Sequence, residues 1–417
     1  MWFGRFPTRR RLWSSSFVRR ALAAGLVCVM TSPGLPGRAQ ESVRPAGAVP
    51  ATDEVLLAAA AKSEADLRFD LATSQLYDLV IEHPGTPGAA TARLRLARLL
   101  ALNGNLPAAI LECQLLRDEL PIDTPMRERA LELASVLVRR LRAANGQVPT
   151  AFATLEGLSA RGLPALDEPR RIHFESEGRF LLLDEGSRRL YRVGPDGATQ
   201  LSTPAEPSAV TTMPDGAVLV AGKNALATIP PTRPIALSGT WGGKARPLKK
   251  IRSMAFWSTG DLLLVDKDYD GLLRCQLAAG ACAPWGPVGK YRTVLVGASD
   301  WVYLLDDRGQ TVRVLDAAQR ALTVIGPLVG AVKLERVEDM AVDSAHGLYL
   351  LDAETKRIVM IHLKSMGDGK VTPTPAPTLV LPQEGERAVK NPSAIAVSPT
   401  GWLAVASKSS PRVMRWR

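Results

Sequence analysis

The residues with the clearest capacity for chemistry are three acids at alternate positions, Asp266, Asp268 and Asp270, closed by Gly271. Alternate carboxylates ahead of a glycine open a calcium-binding loop: every second side chain converges on one cation, and glycine permits the sharp turn. The closing ligand is missing. The twelfth position is Leu277, where a helix-flanked loop needs a bidentate glutamate, and the ninth is Arg274, where other calcium loops place an acid. The plainer expectation is an acidic turn at a strand end, with no cofactor. Four histidines, His83, His173, His346 and His362, stand at no metal-ligand spacing from one another. No nucleophile elbow, phosphate loop or dinucleotide fingerprint occurs in a supporting context.

Cysteine chemistry depends on the compartment. Residues 1–39 carry seven arginines and no acid, and contain the apolar run Ala21–Met30 and a small-residue site at Gly37-Arg38-Ala39. That is the pattern of a cleavable export signal, with the Arg9-Arg10-Arg11 run also resembling a twin-arginine signal. Ten apolar residues are too few to span a bilayer, so no membrane span is expected after cleavage. Without those arginines, basic residues exceed acidic ones by only four, against a formal +11 for the whole chain. The basicity belongs to the leader, which argues against nucleic acid as partner, as does an aromatic content of 5%. In an oxidising compartment Cys275 and Cys282 are candidates for a disulfide across a hairpin turning at Ala278-Ala279, while Cys113 is expected in a helix core.

The elements that position these residues fall into two segments. Residues 53–145, after a linker at 40–52, have helical periodicity and an internal repeat. Phe69, Ala72, Leu76, Leu79 and Pro84 recur 37 positions later as Leu106, Ala109, Cys113, Leu116 and Pro121. Leu96, Ala97, Leu100 and the Gly104-Asn105 turn complete the second copy, Met126–Arg142 forms a capping helix, and Leu67-Arg68 lacks the glycine-like turn. The pattern resembles the tetratricopeptide family, which implies a concave groove for a peptide or partner helix; a generic helical bundle is the alternative.

From 166 to 417 six copies of a strand unit follow, with 146–165 a linker that strand counting nominates, at Thr150–Leu158, for a closing strand. Asp184, Ala221, Asp266, Asp306, Asp352 and Ala406 mark the end of each second strand, spaced 37, 45, 40, 46 and 54 residues apart. The longest gap takes in the proline-rich Val371–Pro382, expected as an exposed loop. The order of apolar strand, Gly turn, apolar strand, Asp and polar turn resembles the NHL-repeat family, which implies a six-bladed β-propeller. The fold class expected is therefore a short tetratricopeptide-like helical segment followed by an all-β six-bladed propeller.

Both resemblances imply recognition. The expectation is a non-enzymatic scaffold in a bacterial cell envelope, periplasmic or surface-associated, binding protein partners. Contact is expected at charged blade turns, with Arg188, Asp270, Arg308 and Lys356 as candidates. The alternative is a propeller enzyme or carbohydrate-binding module with a metal in the central channel, where Glu338, Asp339 and Asn391 are the polar residues placed near the mouth.

Overall fold

The computed structural model describes residues 52–146, 152–154, 166–229, 233–241, 244–367, 369–384, 389–407 and 414–416. The export signal and cleavage site expected over residues 1–39 lie outside them.

Five helices come first: α1 (Asp53–Ala65), α2 (Phe69–Glu82), α3 (Pro87–Leu102), α4 (Leu106–Glu119) and α5 (Pro125–Ala144). Side-chain caps start two of them. Thr86 Oγ1 accepts from Ala89 N at 3.1 Å and Asn105 Oδ1 from Ala108 N at 3.3 Å, each with a proline in the first turn. The repeated positions Ala72, Leu76, Leu79, Ala109, Cys113 and Leu116 are all 1% exposed or less, because the small alanines let paired helices approach while the larger residues fill the gap. Burial pushes the Cys113 thiol up to about 12, as befits an inert core residue. The 37-residue offset maps Leu67 onto Gly104, and both take the left-handed conformation, with φ of 59° and 84°. Leu67 thus makes the turn usually given to glycine, a departure that opposes folding by about 1–2 kcal/mol.

Six antiparallel sheets follow. Their strands are Pro169–Ser176, Arg179–Asp184, Arg189–Gly194 and Gly197–Leu201 in blade one; Ala209–Thr212, Val218–Gly222, Ala225–Ile229 and Arg233–Ile235 in blade two; Ile251–Phe256, Leu262–Asp266, Leu272–Gln276 and Ala281–Trp285 in blade three. Blade four has Tyr291–Val296, Val302–Asp306, Val312–Leu315 and Ala321–Ile325, and blade five Val337–Val342, Gly347–Asp352, Arg357–Ser365 and Val371–Pro375. Blade six takes Pro392–Val397, Leu403–Ser407 and Met414–Trp416, and its outer strand is Phe152–Thr154, paired Phe152↔Trp416 and Thr154↔Met414. The ring is therefore closed by chain from both ends of the β segment, which leaves no open sheet between the first blade and the last. Second strands such as Leu181–Leu183 are continuously apolar and fully buried because neighbouring blades cover both faces.

The recurring aspartate ties together each of blades one, three and five. Asp352, fully buried, accepts from the backbone N–H groups of Glu335, Arg336, Glu354 and Thr355, joining the loop before its blade to the turn after its second strand. Asp184 makes the equivalent bonds to Asp167 N and Glu168 N, and Asp266 to Lys249 N, Lys250 N and Asp268 N.

Three local expectations are corrected. Val371–Pro375 is a strand rather than a loop; as the outermost strand of blade five it can carry Pro373 and Pro375, whose missing N–H groups interrupt no inner ladder. The hairpin before Cys282 turns through four residues, Leu277–Gly280, with Gly280 in the left-handed region, instead of through two. Blade three also gains an extra hairpin, Ser238–Trp241 with Lys244–Pro247, lying parallel to its outer strand.

The helices and the ring share one core. A single cluster of buried side chains runs from Leu76, Leu79, Leu96 and Leu137 into Trp301, Tyr303, Leu350 and Leu363 of blades four and five. Arg140 of α5, 5% exposed, donates to Ala345 O at 2.6 Å, and Arg139 donates to Thr400 O at 2.9 Å while stacking 4.0 Å over Trp402. The helix face that a tetratricopeptide module would leave open as a groove is here packed on the protein's own blades.

Candidate functional site: the charged channel mouth

A meander of four strands sends its turns to two opposite ends of the ring. One end carries the turns between first and second strands, and the helices pack there. The other end carries the loops between blades and the turns between second and third strands. Arg188, Asp270, Arg308 and Lys356 all stand in such turns, in blades one, three, four and five, so the structure brings all four to the helix-free face. Arg188 and Lys356 hold the same left-handed position of their turns, with φ of 57° and 53°.

At the centre of this face the channel opens through a ring of which the sequence placed only Glu338 near the mouth. In five blades the first strand bulges at one residue: Arg170, Arg252, Arg292, Glu338 and Ser393. A bulge leaves that residue out of the ladder and re-aims its side chain. All five line one cavity of about 300 Å³ at the mouth, with Ser208 at the matching place in blade two. The apolar run begins two residues further on, which is why the period of two gave no hint of the ring. The recoverable signal is the residue two places before each run, three times an arginine.

Most of these side chains bridge neighbouring blades, while Arg170 pairs within its own blade and across the mouth. Arg252 pairs with Asp307 at 2.7 Å and Arg292 with Glu338 at 3.0 Å. Arg170 lies 2.8 Å from Glu185 and 3.7 Å from Glu338. Ser208 Oγ donates to Ile251 O at 2.8 Å, and Ser393 Oγ to Pro169 O at 2.5 Å. Five bases, Arg170, Arg171, Lys250, Arg252 and Arg292, line the mouth against three acids, Glu185, Asp307 and Glu338. An adjoining hollow of about 650 Å³ over blades one to three adds four bases, Arg188, Lys223, Lys249 and Lys267, against three acids, Glu168, Glu206 and Asp268. The face bears a surplus of positive charge, which attracts acidic surfaces over several ångströms.

Below the mouth the channel narrows to a cavity of about 210 Å³ walled mainly by apolar first-strand residues such as Ile172, Val210, Met254, Leu295 and Met340. Its one acid, Asp339, is 5% exposed, pairs with Arg171 at 3.3 Å and accepts from Ile395 N; burial pushes its carboxyl above the usual range. His173 Nε2 lies 3.0 Å from Thr212 Oγ1, and burial pushes its pKa down to about 4. Asn391 sits in the loop entering blade six, with φ of 52°.

The remaining candidates are engaged elsewhere. Asp266 spends both carboxylate oxygens on N–H groups, and Asp268 is 2.7 Å from Lys249 Nζ, so these acids belong to the turn between the second and third strands of blade three and not to a set of converging ligands. Among the described residues no three His, Cys, Asp or Glu side chains gather in a way that could hold a metal. Cys275 and Cys282, directly opposite in the third and fourth strands of blade three, form a disulfide.

No protein-family model matches the chain, and no curated protein matches its sequence. Solved structures with similar coordinates include a protein of unknown function from Bacteroides thetaiotaomicron (13% identity, 64% of this chain and 72% of that one, TM-score 0.45). Others are virginiamycin B lyase from Staphylococcus aureus (12%, 61% and 82%, TM-score 0.41) and a gluconolactonase from Xanthomonas campestris (9%, 64% and 98%, TM-score 0.43). Likeness at this level carries nothing about activity, and the fold stands on the strand pairings themselves.

Proposed function

We propose that this chain is an exported, non-enzymatic recognition protein of a bacterial cell envelope that binds an acidic protein surface on its helix-free face. The observation that carries this reading is the set of three arginines at one bulge position around the channel mouth, flanked by the lysines of blades two and three. Rigid strand ends hold these charges, so little side-chain freedom is lost on binding. Mixed charge with a positive surplus favours steering and partner choice over affinity for a polyphosphate. The helices, packed on the opposite end, brace the ring. The alternative, a propeller enzyme or sugar-binding module with a channel metal, calls for acids free to converge on a cation, whereas Asp339 in the channel and Glu185, Asp307 and Glu338 at the mouth are each paired with an arginine.

The test is photo-crosslinking of envelope extract to the mature protein and to a Lys223→Glu, Lys250→Glu, Lys267→Glu variant, at low and at high salt. These exposed lysines take no part in the core. Acidic proteins captured by the parent, and lost both in the variant and in high salt, are the expected result. An identical capture pattern for both proteins would sink this assignment of the face.

A further inference from the structure

The junction between helices and ring encloses a second site, unrelated to the channel mouth. A cleft of about 740 Å³ lies between α1, α3 and the turns of blades three to five. Its wall is apolar and aromatic, with Phe69, Leu99, Leu102 and Trp301, and Phe69 and Trp301 have ring centroids 6.3 Å apart. That volume suits a small organic molecule.

The polar groups in the cleft are unbalanced. Its three carboxylates are engaged: Glu64 by Arg95 at 2.7 Å, Asp300 by Ser258 N at 2.9 Å, and Asp316 by Arg320 Nε at 2.6 Å. Arg98 forms no hydrogen bond or close ion pair among the described residues, and its Nε is fully buried without a partner. Burial disfavours its charge and Glu64 favours it from nearby without a hydrogen bond, so an anion that supplies the missing acceptor would stabilise the guanidinium.

His346, 2% exposed, is the second such group, and it stacks 4.1 Å from Trp301. Its Nδ1 lies 3.2 Å from the hydroxyl of the fully buried Tyr303, for which it is the one partner among the described residues. A buried hydroxyl satisfies its proton by donating it, so Nδ1 accepts and Nε2 carries the imidazole proton. Nε2–H has no partner among the described residues. The cleft therefore offers two unmet donors, one charged and one neutral, beside an aromatic wall, while its carboxylates Glu64, Asp300 and Asp316 are each engaged by a donor.

We infer that this cleft binds a small organic carboxylate, its carboxylate on Arg98 and His346 Nε2 and its apolar body against Phe69, Leu99 and Trp301. Fork-shaped donors on a planar guanidinium match a carboxylate, and the aromatic wall separates such a ligand from a bare inorganic anion.

The experiment is calorimetric titration of the full-length mature protein with three probes: 3-phenylpropionate, the uncharged 3-phenylpropan-1-ol, and inorganic phosphate. Binding of 3-phenylpropionate at least about tenfold tighter than of the alcohol or of phosphate is expected, since one charged hydrogen-bonded contact is worth that factor or more. Arg98→Met should weaken 3-phenylpropionate at least about tenfold and, by removing an unpaired buried charge, should leave the thermal midpoint of the free protein unchanged or higher. No 3-phenylpropionate binding up to about 10 mM, equal binding of the alcohol, or preference for phosphate would each overturn the inference. So would an Arg98→Met protein that binds unchanged, or one whose midpoint falls, since a fall would mean that the arginine's role is structural.

Discussion

His346 shows how much of this protein's behaviour rests on single buried groups. Burial, followed by the nearby charges of Arg98 and Arg140, pushes its pKa down to about 3, from an ordinary value near 6.5. The folded protein keeps the ring neutral while the unfolded chain takes up a proton below about pH 6.5. The unfolded state then binds more protons, so stability falls as the solution is acidified from about pH 6.5 toward the folded pKa. For this residue the loss between about pH 7 and about pH 5 is roughly 2 kcal/mol. His173 and His362, pulled down to about 4 and about 3, act in the same direction. His346→Asn, which tolerates the left-handed φ of 61° at this position, should flatten the slope of unfolding free energy against pH by about one proton. Urea unfolding at several pH values reads that slope, and an unchanged slope would show that His346 is protonated in the folded state.

At the scale of elements, what holds a blade is its contact with the next. Gly309, in the turn after the second strand of blade four, has φ of 71°, and a Cβ there would lie 2.4 Å from Val337 O at the start of blade five. Gly178 has a similar φ of 77° with nothing within 4 Å. Gly178→Ala should lower stability by about 1 kcal/mol, for the backbone conformation alone. Gly309→Ala should lower it by about 3 kcal/mol or more, because carbonyl backbone and not a flexible side chain must move. Chemical unfolding of both variants measures the difference; equal losses would mean that the boundary between the two blades yields freely. The six strand units and the helical pairs were legible because apolar periodicity, Gly turns and strand-end aspartates are local. The arginine ring was not, since a one-residue bulge inverts which side of the strand a residue faces, and period alone cannot register it.

At the scale of the whole molecule, helices and ring are bound by a common core and by buried Arg140, whose guanidinium reaches Ala345 O. Neither part can unfold without exposing the other. Scanning calorimetry of the protein should therefore give one cooperative transition, and two resolved transitions would show the helices to be an independent domain. Deleting residues 1–146 should leave an aggregation-prone ring, because Trp301, Leu350 and Leu363 would lose part of their cover.

The sequence by itself determined the class of most elements: helices where alanine and leucine recur at helical spacing, and strands where six apolar units end in a turn; the proline-bearing strand Val371–Pro375 and the extra hairpin of blade three escaped it. These patterns survive because they depend on residues close in the chain. The tertiary structure decided what lies between elements. It packed the helices onto the ring, gathered Arg188, Asp270, Arg308 and Lys356 on the other face with an arginine-rich mouth, and left the Arg98 guanidinium and His346 Nε2 without hydrogen-bond partners among the described residues of a cleft. Those outcomes depend on which surfaces meet across hundreds of residues, through bulges and turn conformations that hydrophobic patterning does not encode.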